Sequence, residues 1–282
     1  MGKYAQLVVG PAGVGKSTYC RRMFDHLRDR KRRPHIVNLD PAVPGDLPYE
    51  SSIDVRSLVT VEDMMQEYGL GPNGALMMCL QYLMENIAWF EEELNDFPDD
   101  YLIIDCPGQI ELFTTVPFVK GFVEMLVRNG YHVCTIALVD ASYIADIPRF
   151  LSGTFVCLAS MVKLETAHIN VLSKCDLLPG GTSNQDLEKI LQPDGEYLSR
   201  ELDRGMAVRR LSKTDRFARL NAAIGKIIEE YSLVRYVPLN FEEEESVEDL
   251  LEQIDMTLQF GEDEEGGREI PDDVDPEEDD EK

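Results

Sequence analysis

Gly10-Pro11-Ala12-Gly13-Val14-Gly15-Lys16-Ser17-Thr18 decides how this chain is read. An apolar run, Tyr4 to Val9, precedes it, and a segment of helical spacing, Ser17 to about Arg30, follows it. Strand, glycine-rich loop and helix in that order match G-x-x-x-x-G-K-[ST], the phosphate-binding P-loop. Gly10, Gly13 and Gly15 permit the tight turns that bring backbone N–H groups up to phosphate oxygens. The helix N-terminus adds partial positive charge, which favours an anion. Lys16 is placed to reach the β- and γ-phosphates of a nucleotide, and the Ser17 hydroxyl to sit on Mg²⁺. A merely glycine-rich turn capped by Ser17 and Thr18 would not need the flanking strand and helix where they are.

Working outward, apolar runs that end on an acid recur: His35 to Asp40, Tyr101 to Asp105, His132 to Asp140, and His168 to Leu172 leading into Ser173-Lys174-Cys175-Asp176. Helical segments are predicted between them, at Val61 to Tyr68, Ala75 to Leu94, Val116 to Asn129 and Ile147 to Leu164. Gly69 ends the first of these, and Thr60 or Ser57 is its candidate cap. Residues 180–215 read as short helices and Arg216 to Tyr231 as one longer helix. Val234 to Leu239 is a last strand and Ser246 to Gln259 a last helix. Such alternation predicts an α/β fold, a P-loop NTPase with a mainly parallel sheet and helices on both faces. Ligand loops then gather at the carboxyl ends of the strands.

The chain has 282 residues, 44% of them hydrophobic, which suits one large domain over residues 1–260. The formal net charge is −26. Residues 261–282 carry thirteen acidic side chains against Arg268 and Lys282, and are expected to form a disordered, solubilising tail. This balance argues against direct nucleic-acid binding or an anionic membrane surface. The basic cluster Arg28 to Arg33 reads as dipole compensation at the end of the first helix. No leader is apparent, and the apolar stretch Leu151 to Leu164 is too short and too interrupted to span a bilayer, so a buried helix is expected. Six cysteines without a C-x-x-C pair suit reduced thiols in the cytosol or nucleus. The four histidines have no metal-ligand spacing.

Asp105 ends a strand, where a carboxylate holds Mg²⁺ directly or through water. Gly108 follows three residues later, placed to present its N–H to a γ-phosphate. Gln109 is the residue type that orients a hydrolytic water. Ser173-Lys174-Cys175-Asp176 fits [NTS]-K-x-D. The Asp176 carboxylate can accept from the ring N–H and exocyclic amine of guanine, and adenine leaves it unpaired. Tyr236 to Asn240 stands where a base-backing loop is expected, with Pro238 as its candidate contact. Gly71-Pro72-Asn73-Gly74 is a rigid turn in which spacing alone makes Asn73 a helix N-cap.

Together with Asn38-Leu39-Asp40-Pro41-Ala42 and Asp105-Cys106-Pro107-Gly108-Gln109-Ile110-Glu111-Leu112, these motifs resemble the GPN-loop GTPases over roughly residues 3–260. The resemblance implies a dimer, a homodimer or a heterodimer with another paralogue, in which each GPN loop reaches the partner's site. Residues 41–98 would form the GPN-loop insertion. It implies GTP and GDP as nucleotides with Mg²⁺ as cofactor, Ser17, Asp40 and Asp105 serving the metal. Lys16, Asp40, Gln109 and Glu111 would be catalytic, with Asn73 touching the γ-phosphate across the interface. It also implies a role in assembly and nuclear import of RNA polymerase II, with a cytoplasmic location and shuttling to the nucleus. A nucleotide-stabilised scaffold with negligible turnover is the alternative, which Gln109 and Glu111 disfavour. A nucleoside or polynucleotide kinase shares the P-loop but leaves Ser173 to Asp176 unexplained.

Overall fold

The apolar runs become the strands of one sheet: β1 (Lys3–Val9), β2 (Pro34–Asn38), β3 (Ile53–Asp54), β4 (Tyr101–Asp105), β5 (Tyr131–Asp140), β6 (Ala167–Ser173) and β7 (Tyr236–Pro238). This computed structural model describes residues 2–97, 101–114, 117–178 and 235–261, with Leu191, Leu198, Arg200, Leu220, Ala223, Lys226 and Ile227. Every strand pairing is parallel, in the order β3-β2-β4-β1-β5-β6-β7. β1 lies at the centre, and Val8 is in register with Asp105 on one side and Ile136 on the other. The end of β1 therefore delivers the P-loop beside the end of β4.

Strand residues alternate between the two faces, and each face has its own core. Ala5, Leu7 and Val9 point into a cluster completed by α2 (Val61–Tyr68), α3 (Pro72–Glu85), α4 (Ile87–Leu94), α6 (Phe118–Arg128) and α7 (Ile147–Leu164). Tyr4 and Val8 point the other way, onto α1 (Lys16–Asp29) and α8 (Glu244–Leu258). A four-residue helix, α5 (Glu111–Thr114), follows β4. Gln6, fully buried on the α1 side, donates to the Tyr101 hydroxyl at 2.8 Å and accepts from the Tyr19 hydroxyl at 2.7 Å. Both ends of its amide are thus satisfied, as burial demands. The helices predicted on both faces of a parallel sheet are present.

Several boundaries differ from the sequence expectation for physical reasons. The helix expected over Ala75 to Leu94 starts earlier and is broken. Pro72 opens α3, with Gly71 as N-cap, because a proline's fixed φ and missing N–H suit the first helical position. Asn73 therefore lies inside the first turn and is not the cap. The break comes at Asn86, whose side chain donates to the Tyr82 carbonyl at 2.9 Å before α4 begins. Thr60, of the two candidates, caps α2 by accepting from the Asp63 N–H at 3.2 Å, and Gly69 ends that helix in the left-handed region. The short strand β3 and the 3₁₀ turn Val55–Ser57 were not foreseen. The basic cluster does more than compensate a dipole. Arg30 pairs with Glu248 of α8, and Arg32 meets both carboxylate oxygens of Asp255 at 2.7 and 2.5 Å. Its guanidinium also lies 3.8 Å from the centre of the Phe260 ring. The α7 helix meets the length and composition of a membrane span, but Phe150, Leu151, Cys157 and Leu164 are packed in the core. The short helices expected over 180–215, most of the helix over 216–231, and the acidic tail fall outside the described residues.

His168, near the start of β6 and in register with Thr135, is held neutral by burial, its pKa lowered to about 4. An unfolded chain takes up a proton near pH 6.5, and the native chain does not until about pH 4. Stability is therefore complete above pH 6.5 and falls as pH drops toward 4. The gap corresponds to on the order of 3 kcal/mol. Urea unfolding of wild type and His168→Gln should show the wild type losing that much more stability between pH 7 and pH 4. Parallel pH profiles would refute the assignment.

Candidate functional site

The P-loop is built on backbone that other residues would strain. Gly10, Gly13 and Gly15 have φ of 147°, 80° and 100°. At Gly10 a Cβ would also stand 2.7 Å from the Leu138 carbonyl oxygen of β5, so only glycine fits there. Gly15 is the N-cap of α1, and Lys16 is its first residue. Lys16 is only 9% exposed, and its Nζ donates to the Pro11 carbonyl at 3.3 Å. The ammonium is folded over the loop it would help to charge. Ala12 and Gly13 are exposed at the loop's crest.

Gly108 packs against that crest. A Cβ there would come within 2.9 Å of the Ala12 Cα, so the Asp-Cys-Pro-Gly turn touches the P-loop backbone directly. Asp105 ends β4 beneath it and is 3% exposed. Burial raises its pKa, while hydrogen bonds from Ser17 and Tyr49 and the charge of Lys16 pull it down. The Tyr49 hydroxyl donates to Asp105 Oδ2 at 2.7 Å. Asp40 lies just past β2 and close enough to act on Asp105. Burial raises its pKa too, offset by the Ala42 N–H, which donates to its Oδ1 at 2.9 Å, and by Lys16 and Arg56. Asn38 fixes this corner: its Oδ1 accepts from the Asp40 N–H at 3.1 Å and its Nδ2 donates to Asp54 Oδ1 at 2.9 Å.

Ser17, Asp40 and Asp105 together offer hard oxygen donors beside a phosphate cradle, a set that fits Mg²⁺. No group of three or more His, Cys, Asp or Glu side chains forms a self-contained metal cage among the described residues.

On the other side of Gly108, the Gln109 Nε2 donates to Asn73 Oδ1 at 3.1 Å. The two residues lie in one chain, so the Gly-Pro-Asn turn stands at the mouth of its own site. Glu111 opens α5 and is exposed.

The base end is tied to the phosphate end. Ser173 Oγ lies 2.9 Å from the Val14 carbonyl oxygen and 3.1 Å from that of Val139. Lys174, in the left-handed region, donates to the Gly13 carbonyl and to Asp140 Oδ2, both at 2.7 Å. Burial would raise the Asp140 pKa, but the Lys174 ammonium and the Ser142 contacts hold it below the usual carboxylate range. The Lys174 stem passes over the loop, with its Cε 3.8 Å from where a Gly15 Cβ would be. Asp176, in the 3₁₀ turn Cys175–Leu177, is exposed. The Cys175 N–H donates to the Leu239 carbonyl at 3.2 Å, which joins this loop to the end of β7, where Pro238 is half-buried.

The structure thus gathers Lys16, Ser17, Asp40, Asp105 and Gly108 around the phosphate loop, and Ser173 and Lys174 on its far side. Tyr49, Asn38 and Asp54 were not found from the sequence. Asp140 showed only as an acid at a strand end, with nothing to mark Lys174 as its partner.

A family profile described as "conserved hypothetical ATP binding protein" matches residues 8–260. A protein from Dictyostelium discoideum named GPN-loop GTPase 3 is 47% identical over 263 residues, covering 93% of this chain and 90% of that one. A Saccharomyces cerevisiae protein of the same name is 39% identical over 279 residues, covering 99% of this chain and all of that one. A crystal structure of a GTPase in apo form from Pyrococcus abyssi superposes with a TM-score of 0.70 at 29% identity, covering 90% of this chain and 97% of that one. The profile's description mentions ATP, whereas the relatives are named as GTPases.

Proposed function

Because the chain belongs to the GPN-loop GTPases, and is a GTP-hydrolysing enzyme, we propose that it acts as a dimeric switch whose two sites share their GPN turns. Lys16 and the backbone of residues 10–18 bind the β- and γ-phosphates, and Gly108 lies where its N–H can follow the γ-phosphate. Ser17, Asp105 and Asp40 would hold Mg²⁺, which would supply positive charge against the phosphate oxygens. Gln109 orients the attacking water, with Asp40 and Glu111 completing its surroundings. Ser173, Lys174, Asp176 and the Pro238 loop hold the guanine.

The observation that supports the turn's part in hydrolysis is the 3.1 Å contact between Gln109 and Asn73. It couples the family's defining triplet to the residue type that positions water. In the proposed dimer a partner subunit's Asn73 would instead supply a hydrogen-bonding group to the γ-phosphate as charge develops. The P-loop has Pro11-Ala12 where, by the motif resemblance, related dimeric ATPases carry a lysine, a gap that a partner's turn would fill. A second reading, in which each Asn73 serves its own site, is favoured by the same contact lying within one chain.

Mixing two variants separates them. Lys16→Ala has an emptied site and an intact turn; Asn73→Ala has the reverse. Once sizing shows the mixed dimer, a shared site should restore hydrolysis to about half of the sites. Mixed dimers as inactive as their parents would establish the single-chain reading. We further propose, on the motif resemblance alone, that the partners are a second GPN-loop paralogue and RNA polymerase II subunits in assembly and nuclear import. The protein would then reside in the cytoplasm and shuttle to the nucleus, without contacting nucleic acid or membrane. Affinity capture with sizing of the complex, in the presence of GTP and of GDP, checks that partner set.

A further inference from the structure

The loop between Asp40 and Ser51 is fastened down at several points. Arg56 donates through Nη1 to the Gly45 carbonyl at 2.7 Å and the Val43 carbonyl at 3.3 Å. Its own position is fixed by Asp54, which accepts from Arg56 Nε at 3.0 Å and Nη2 at 2.7 Å. Arg21 of α1 donates to the Pro48 carbonyl at 3.0 Å. These bonds carry one side chain inward: Tyr49, whose ring packs against the cluster beneath α1 and whose hydroxyl reaches Asp105 Oδ2 at 2.7 Å. No motif includes Tyr49.

We propose that Tyr49 is a positioning residue for Asp105, setting the carboxylate so that the Mg²⁺–nucleotide complex is held tightly; this rests on the metal assignment made above. Asp105 accepts from the Tyr49 hydroxyl, and Ser17 lies near enough to help lower its pKa. With Tyr49 on Oδ2, the carboxylate cannot rotate away from Ser17 without giving up a hydrogen bond to a buried charge. Such bonds are among the stronger ones in proteins. The loop thereby adjusts the metal site without contributing a ligand to it.

The test is release of N-methylanthraniloyl-GDP from wild type and Tyr49→Phe across a range of free Mg²⁺. Phenylalanine keeps the ring in its packing and removes only the hydroxyl. The Mg²⁺ concentration giving half-maximal slowing should rise roughly 3- to 10-fold, the net effect of one ordinary hydrogen bond, since Tyr49 reaches the ion only through Asp105. Release in excess chelator should change less than twofold, because the phosphate and base contacts do not involve Tyr49. In an Asp105→Asn background the same substitution should shift nothing further. A purely structural role would speed release equally with and without metal and leave the Mg²⁺ midpoint in place, which overturns the proposal, as does an equal shift in the Asp105→Asn background. Wild-type release insensitive to Mg²⁺ would instead remove the metal assignment itself, and the role of Tyr49 with it.

Discussion

Lys16→Ala should abolish tight GTP binding, raising Kd by about 100-fold or more, the scale of a lost charge-assisted phosphate contact in a dry site. Lys16 is the first residue of α1 and is 9% exposed, with its ammonium held at the phosphate loop. Its one described hydrogen bond is to the Pro11 carbonyl at 3.3 Å, a contact readily exchanged for a phosphate oxygen. Its charge also moderates the buried carboxylates, lowering the pKa values that burial raises at Asp40 and Asp105. Removing it therefore takes away a positive charge that both acids and the bound phosphates would share. Isothermal calorimetry is the direct measurement, with circular dichroism to show that the sheet persists. Unchanged GTP affinity in a folded variant would end the P-loop assignment.

The phosphate half of the site was legible in the sequence because its parts are local. Gly10 to Thr18 is one unbroken run, and backbone geometry demands glycine at three of its positions. Asp105 and Gly108 are three residues apart and follow an apolar strand. The parallel order of the sheet followed from alternation, since parallel neighbours need crossover connections. What failed to show was whatever depended on distant partners. Tyr49 sits in a Pro- and Gly-rich loop and acquires meaning only from Asp105, which folding brings to it. The strand β3 is two residues long, too short to carry a period, and is stabilised by Asn38, Asp54 and Arg56 through side-chain bonds. The break at Asn86 interrupts a hydrophobic pattern that continues at helical spacing on both sides. The cap at Gly71 was missed because asparagine is the better capping type, and Pro72 decided the matter through its fixed φ. Asn73 was therefore recognisable by family resemblance, while its contact with Gln109 needed the fold.

Asp176→Asn should exchange the base preference from guanine toward xanthine. The loop that carries Asp176 is unusually well anchored for an exposed turn. Ser173 and Lys174 bond the carbonyls of Val14 and Gly13, and the Cys175 N–H bonds the Leu239 carbonyl. Base loop and phosphate loop are thus one unit, so a base bound at Asp176 is fixed relative to phosphates bound at Lys16. An aspartate there accepts from the ring N–H and the exocyclic amine of guanine. An asparagine presents an amide N–H to that amine, two donors face to face, and GTP should lose on the order of 2–4 kcal/mol, roughly 30- to 1000-fold in Kd. Xanthine carries a carbonyl in place of the amine and accepts from the same amide, so xanthosine triphosphate should bind the variant more tightly than GTP. Lys174 and Asp140 are untouched, so the loop keeps its shape and the P-loop its grip on the phosphates. Competition of the two triphosphates against a fluorescent nucleotide, with ATP as a third competitor, measures the exchange. Full retention of GTP preference would reduce Asp176 to an exposed residue of a 3₁₀ turn and would require guanine to be read elsewhere. Loss of both triphosphates alike, with the fold intact, would place the carboxylate in holding the loop and not in reading the base.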